Sequence, residues 1–245
     1  MKKTSGYTIL ELLVAMGLSI GMLVPVVQTL VSSRKTYEFQ RELMALQDNG
    51  RFAMDFMGTR LRQAGWGGSA GQLPNGLGGC NGNNCMGGGV SNIGDMVQLT
   101  YNTDAQSSID CFNALPPAGI PTLTVTNAFY VANNQGVPSL FCQSSVGGPQ
   151  VLLPYVENMQ VTYGVDTGGS IQYLPASNAA GVPIDMAQVV VVRVSLLMRG
   201  ERENRISANN QTYQLEDVLI GAQNDHFMRR AYHFTMRLRN RGLGL

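Results

Sequence analysis

The sequence predicts an α+β fold in which one long N-terminal helix lies against an antiparallel sheet. Three observations carry that expectation. The 22 residues from Leu12 to Ser33 contain no Asp, Glu, Lys or Arg. Beyond them, Phe39, Leu43, Leu46, Ala53, Met57, Leu61 and Ala64 recur at steps that keep to one helical face, although Gly50 is expected to interrupt it. Toward the C-terminus, Val190, Val192, Val194, Leu196 and Met198 flank Arg193 and Ser195, and Tyr232, Phe234, Met236 and Leu238 alternate with His233, Thr235 and Arg237. A period of two describes strands with one dry and one wet face, and the dry face is where an amphipathic helix can lie.

At 1.5 Å per residue the charge-free stretch runs roughly 33 Å, enough to cross a hydrocarbon core. A secretory signal fits it poorly, because such signals have a shorter apolar region, no carboxylate and a small-x-small cleavage site. Lys2 and Lys3 favour a cytoplasmic N-terminus, a bias that Arg34 and Lys35 weaken. Pro25, Gly17 and Gly21 are expected to loosen or bend the helix, which membrane segments tolerate. Glu11 stands at the head of this helix. A carboxylate at the centre of a membrane helix costs roughly 2.5–3.5 kcal/mol, so one retained in such a segment is a functional candidate.

The run Met1-Lys-Lys-Thr-Ser-Gly-Tyr-Thr-Ile-Leu-Glu11 resembles a type IV prepilin N-terminus: a short basic leader, Gly6, an aromatic at Tyr7, then Thr-Ile-Leu-Glu-Leu-Leu. The resemblance implies a leader at 1–6 that prepilin peptidase removes after Gly6, with methylation of the new amine on Tyr7. It implies a transmembrane and filament-core helix at 7–33, an amphipathic continuation at 34–64, and a β-rich globular domain at 65–245 on the periplasmic side, giving a pilin-like fold. Tyr7 replaces the more usual Phe. Glu11 becomes the fifth mature residue, and its carboxylate is expected to pair with a cation from a neighbouring helix when the helix leaves lipid for the filament core. A plain signal anchor with an incidental Glu is the bland alternative.

With 245 residues, the chain has room for this anchor and one domain of about 180 residues with a real core. A net charge of +1 argues against bulk nucleic-acid binding. Four cysteines outside the cytoplasm read as two disulfides with three connectivities open. Cys80 with Cys85 closes a short Gly/Asn loop, and Cys111 with Cys142 joins two expected strand ends; this pairing is favoured. A zinc site would want C-x2-C spacing, which is absent. The glycine-crowded stretch from Gly65 to Gly89 is expected to be a long loop. It holds a formal G-x-S-x-G at Gly67 to Gly71, but a hydrolase elbow needs a strand before the Ser and a helix after it. Only His226 and His233 could serve as imidazole bases, and no catalytic residue is assigned. Strands are expected at Met96–Tyr101, Leu123–Val131, Ser139–Cys142, Met159–Val165, Val189–Met198 and Ala231–Leu238.

Asn49-Gly-Arg-Phe-Ala-Met, Leu61-Arg-Gln-Ala-Gly-Trp66, Ile109-Asp-Cys-Phe, Ser139-Leu-Phe-Cys142, Val156-Glu-Asn-Met-Gln-Val-Thr-Tyr-Gly-Val165, Val192-Arg-Val-Ser-Leu-Leu197 and Arg230-Ala-Tyr-His-Phe-Thr-Met-Arg-Leu-Arg-Asn-Arg241 resemble the PilW class of minor pilins. That class implies a structural subunit that primes type IV pilus assembly and is incorporated at low abundance near the tip. The implied partners are prepilin peptidase, other minor pilins, the major pilin, the inner-membrane assembly machinery and, before assembly, the membrane itself. The implied location is the inner membrane and then the cell-surface pilus. A minor pseudopilin of type II secretion, of the GspJ kind, shares the leader and helix. A tip adhesin or DNA-binding module is the alternative from another class. For that module Arg237, Arg239 and Arg241, with Arg229 and Arg230, form a candidate basic binding patch; the bland account is a solvated strand face. Asp166-Thr-Gly-Gly-Ser and Asp104 near Asp110 could offer oxygen ligands to calcium, but turn chemistry explains them. No cofactor and no metal are expected.

Overall fold

Thr8 opens a helix, α1 (Ile9–Leu61), that runs through Pro25 and Gly50 without a break. The computed structural model describes residues 6–66, 76–82, 92–103, 111, 114, 123–177, 182–203 and 208–240. The chain divides into two compact units, Met1–Met44 and Ala45–Leu245. In the first unit the apolar side chains of α1 from Ile9 to Val31 are exposed. Its hydroxyls turn inward to the helix backbone: Ser19 donates to the Ala15 carbonyl at 2.7 Å, Thr29 to Pro25 at 2.8 Å and Thr36 to Ser32 at 3.0 Å. Such internal bonding is what an apolar surrounding demands of polar groups.

The second unit begins where α1 acquires a buried stripe, at Leu46, Gly50, Ala53, Met57 and Leu61. Phe39, expected to share that stripe, is 43% exposed and lies in the first unit. Gly50 does not interrupt the helix; it lets the helix approach the Tyr232 ring, whose hydroxyl donates to the Leu46 carbonyl at 2.8 Å. The helix ends with Asn240 Nδ2 donating to the carbonyls of Arg62 and Ala64, at 3.2 and 3.1 Å. These carbonyls lie in the turn that follows α1, beyond the helix's own N–H donors.

The strands are β1 (Leu77–Cys80), β2 (Asn92–Thr103), β3 (Leu123–Asn134), β4 (Val137–Ser144), β5 (Pro149–Pro154), β6 (Val156–Asp166), β7 (Ile171–Leu174), β8 (Val189–Glu203), β9 (Tyr213–Leu215), β10 (Val218–Ile220) and β11 (Phe227–Arg237). All six expected strands are present, most of them longer than expected. The main sheet has the order β11-β8-β6-β2-β3-β4-β5, with β1 added to β2 and β7 to β6; β9 and β10 form a separate hairpin.

Two features depart from a simple antiparallel sheet with one wet face. First, β2 and β6 run parallel and meet at the single register pair Gly94–Met159. Gly94 has φ +80°, and a Cβ there would strike the Met159 carbonyl, so only glycine permits the approach. Second, the face opposite the helix is largely covered. Ser195 has no exposure, and the β9–β10 hairpin brings Glu216 to it.

Part of the expected glycine loop is also ordered: β1 pairs with β2 from Leu77↔Leu99 to Cys80↔Met96. Burial of Leu77 and the close approach of the Tyr163 ring that Gly79 allows explain why a glycine-rich tetrapeptide serves as a strand. Gly67 to Gly71, Asp104 and Asp110 lie outside the described residues.

Because β2 and β6 share one pair, side chains close the rest of that seam. Asp95, 3% exposed, accepts the Gly82 N–H at 2.8 Å and the Val161 N–H at 2.9 Å. Asn81 accepts from Ala176 N–H and donates to the Ser177 carbonyl, at 2.8 and 3.1 Å. Burial pushes the Asp95 carboxyl up to about 6 despite the two N–H donors. A carboxyl raised in the folded state contributes stability that is complete below its unfolded value near 3.8 and is lost as pH rises through about 6. The displacement corresponds to roughly 3 kcal/mol across that window. Asp225 works in the opposite sense: the hydrogen bond from Arg229 holds it below the usual range, so its contribution is lost as acid protonates it. Stability set by these two groups is therefore greatest near pH 4 and falls from there to about pH 6 as Asp95 ionises. Denaturant titrations across pH should show a decline toward neutrality that flattens in Asp95→Asn; an unchanged slope in that variant would refute the assignment.

Candidate functional site

The residues from which assembly chemistry is expected lie at the head of α1. Gly6 has nothing within 4 Å of where a side chain would stand, and Tyr7 is 88% exposed. The Gly6–Tyr7 peptide is thus sterically open, outside the helix and one residue ahead of Thr8. Thr8 and Glu11 form a reciprocal cap: the Thr8 backbone N–H donates to Glu11 Oε2 at 3.2 Å, and the Glu11 N–H donates to Thr8 Oγ1 at 3.3 Å. Thr8-x-x-Glu11 is the capping-box spacing. Sequence analysis weighed Glu11 as an intermolecular partner and missed this local one, although the four-residue pattern was there to find. A carboxylate in the first turn also faces the positive end of the helix dipole. Below it, α1 is long and apolar enough to cross a membrane.

The arginines separate into two groups. Arg237 and Arg239 are exposed, whereas Arg241 lies outside the described residues. Arg230 is exposed beside the Tyr232 ring, 5.6 Å from its centroid. Arg229 cannot join a binding patch. Its side chain is 2% exposed and is held by Glu157, through Nη2–Oε1 at 2.8 Å, and by Asp225, through Nη2–Oδ2 at 2.6 Å. Burial opposes the charge, but the two carboxylates more than offset it and leave the guanidinium harder to deprotonate than usual. The β-strand alternation that suggested a solvated face failed here because Asp225 and Glu157 come from segments that alternation cannot bring together.

Glu216 organises the second polar cluster. It receives Thr162 Oγ1 at 3.0 Å and the Ser195 hydroxyl, and lies 3.7 Å from Arg193 Nη1, whose guanidinium stacks 3.9 Å from the Tyr173 ring centroid. Its φ of +50° is a strained value for a glutamate, held by these partners. His233 Nδ1 is 2.6 Å from the same Ser195 oxygen. A Ser–His–acid relay needs the acid on the far nitrogen of the imidazole. Here acid and imidazole meet on a fully buried serine, an arrangement suited to pinning the β9–β10 hairpin.

Cys111 and Cys142 form a disulfide with Cα atoms 6.2 Å apart, and Arg60 Nη2 donates to the Cys111 carbonyl at 3.1 Å, tying that segment to α1. Cys80 is also disulfide-bonded, and Cys85 lies outside the described residues. Asp166 accepts the Gly168 N–H at 2.9 Å in the turn between β6 and β7, consistent with turn chemistry at this aspartate. Among the described residues no group of three or more His, Cys, Asp or Glu is placed to hold a metal ion.

A long apolar N-terminal helix whose end packs on a largely antiparallel sheet is the α+β architecture of a pilin-like protein. Within the sheet domain, residues 128–240 match the family model described as type IV pilus-assembly protein W. No curated protein sequence matches the chain. Among solved structures, a type IV-like pilin from Thermus thermophilus is similar at 18% identity and a TM-score of 0.46, over 80% of this chain and 97% of that one.

Proposed function

We propose that this chain is a minor pilin of the PilW class, a structural subunit that helps prime type IV pilus assembly and enters the filament at low abundance near its tip. The observation that carries the proposal is the N-terminus: an open Gly6–Tyr7 peptide, a carboxylate in the first helical turn and an exposed apolar helix. The PilW match over residues 128–240 supports it. Prepilin peptidase would cut after Gly6 and the Tyr7 amine would be methylated. The helix would anchor the chain in the inner membrane, with the sheet domain in the periplasm, until other minor pilins and the major pilin take it into the filament. Loss of piliation and twitching on deletion of the gene, with secretion intact, is the expected result; the reverse would assign the chain to a type II secretion pseudopilus.

Glu11 has two separable roles under this proposal. Glu11→Ala removes both the cap and the charge, whereas Glu11→Gln keeps an acceptor for Thr8 and removes only the charge. Leaving a buried cation without its partner costs about 3–5 kcal/mol. Both variants are therefore expected to lose residues 1–6 normally, by mass, and to assemble poorly. Wild-type piliation in Glu11→Gln would reduce the residue to a helix cap.

A further inference from the structure

The two ends of the main sheet are guarded differently. At one end β5 is six residues long, has Pro149 and Pro154 at its termini, and meets β4 with a register shift at Leu140/Phe141. Prolines, short length and irregular register are the devices that keep a sheet edge from pairing further. At the other end β11 is eleven residues long and has no proline, and its one register shift lies at its start, between Phe227 and Arg229. Its register with β8 is continuous from Arg229↔Arg199 to Arg237↔Val191, and no described strand pairs with its outer side. The Leu238 N–H donates to the Val190 carbonyl. In an antiparallel ladder bonding alternates by two residues, so the even-numbered residues point their backbone groups into β8. Ala231, His233, Thr235 and Arg237 then direct their N–H and C=O groups outward.

The side chains along this edge carry one sign. From His226 to Asn240 there is no acidic residue, while Arg230, Arg237 and Arg239 are exposed. Self-pairing of β11 would bring the exposed arginines of two copies to the same edge. Like charges directly opposite destabilise a strand pair. The edge therefore resists its own copy but not a strand of opposite charge.

We infer that the outer edge of β11 receives a β-strand bearing acidic side chains from a different pilin-class subunit, which extends the sheet by one strand. This inference rests on the minor-pilin function proposed above and names the surface that would choose the neighbour. Main-chain bonds at Ala231, His233, Thr235 and Arg237 would supply binding, as in other strand additions. Arg230 and Arg237 would select for acidic side chains, and the Tyr232–Phe234–Met236 row would offer an apolar border to alternate residues of the added strand.

The test is amide hydrogen exchange on the full chain in detergent, alone and with the remaining pilin-class subunits of its own filament. Exchange at Ala231, His233, Thr235 and Arg237 should slow about ten-fold or more in the complex. Thr235→Pro removes an outward N–H that β8 does not use, and Arg230→Glu with Arg237→Glu reverses the selecting charge; each should weaken co-purification by about ten-fold or more. If the proline variant fails to fold, exchange on the unaltered chain still decides. A complex that forms with these amides unprotected overturns the edge inference and leaves the minor-pilin proposal standing. Failure to bind any of those subunits overturns the proposal itself. Protection that appears in the chain alone as its concentration rises would show self-pairing and refute the selection by charge.

Discussion

Glu157→Ala is expected to destabilise the sheet domain by about 3–5 kcal/mol, the cost of breaking a buried ion pair from one side. Arg229 and Arg199 are cross-strand neighbours on β11 and β8, and Glu157 lies against both, 3.6 Å from Arg199 Nε. Removing that carboxylate leaves two guanidinium groups side by side. Asp225 still holds Arg229, but the rings of Tyr155 and Phe227 beside Arg199, the latter 4.2 Å away, cannot replace a charge. Thermal unfolding followed by circular dichroism should show a fall of about 10 °C for a domain of this size. Glu157→Gln with Arg229→Met should recover much of the loss, because a pair replaced whole leaves no uncompensated charge. A loss below about 1 kcal/mol in the single variant would mean that water reaches Arg229 and that the cluster behaves as a surface pair.

The fold class was legible because its signals are local. Charge exclusion from Leu12 to Ser33 marks the apolar helix, and strict alternation at Val190–Met198 and Tyr232–Leu238 marks two strands. The expectation for the N-terminal segment rests on local signals too: Gly6, Tyr7 and Glu11 are neighbours in sequence. What was missed depends on partners distant along the chain. β1 is a strand because β2 accepts it, although Leu77-Gly-Gly-Cys80 has little strand propensity of its own. The expected wet face was closed by Glu216 from a later hairpin, and Arg229 was removed from the basic patch by Glu157, 72 residues earlier. The Thr8–Glu11 cap, by contrast, is local, and its Thr-x-x-Glu spacing is readable in the sequence.

Gly50 provides a case where propensity and packing predict opposite signs. In an exposed helix interior, Gly→Ala is worth about 1 kcal/mol of added stability. At Gly50 a Cβ would enter the Tyr232 ring from Cδ1 to Cζ. The ring has little freedom to move aside, because its hydroxyl is bonded to the Leu46 carbonyl and it lies in the β11 row facing the helix. Overpacking of a filled core costs about 1–3 kcal/mol and more for larger groups. Gly50→Ala should therefore lose about 2 kcal/mol net, and Gly50→Val should lose about 4 kcal/mol, since its branched side chain adds bulk at the same contact. A double-mutant cycle separates the contributions. With Tyr232→Ala already in place, Gly50→Ala should become stabilising by up to about 1 kcal/mol, giving a large coupling between two residues in contact. If Gly50→Ala stabilises the unaltered protein, the helix does not approach the sheet this closely, and the glycine is not needed for docking α1 on β11.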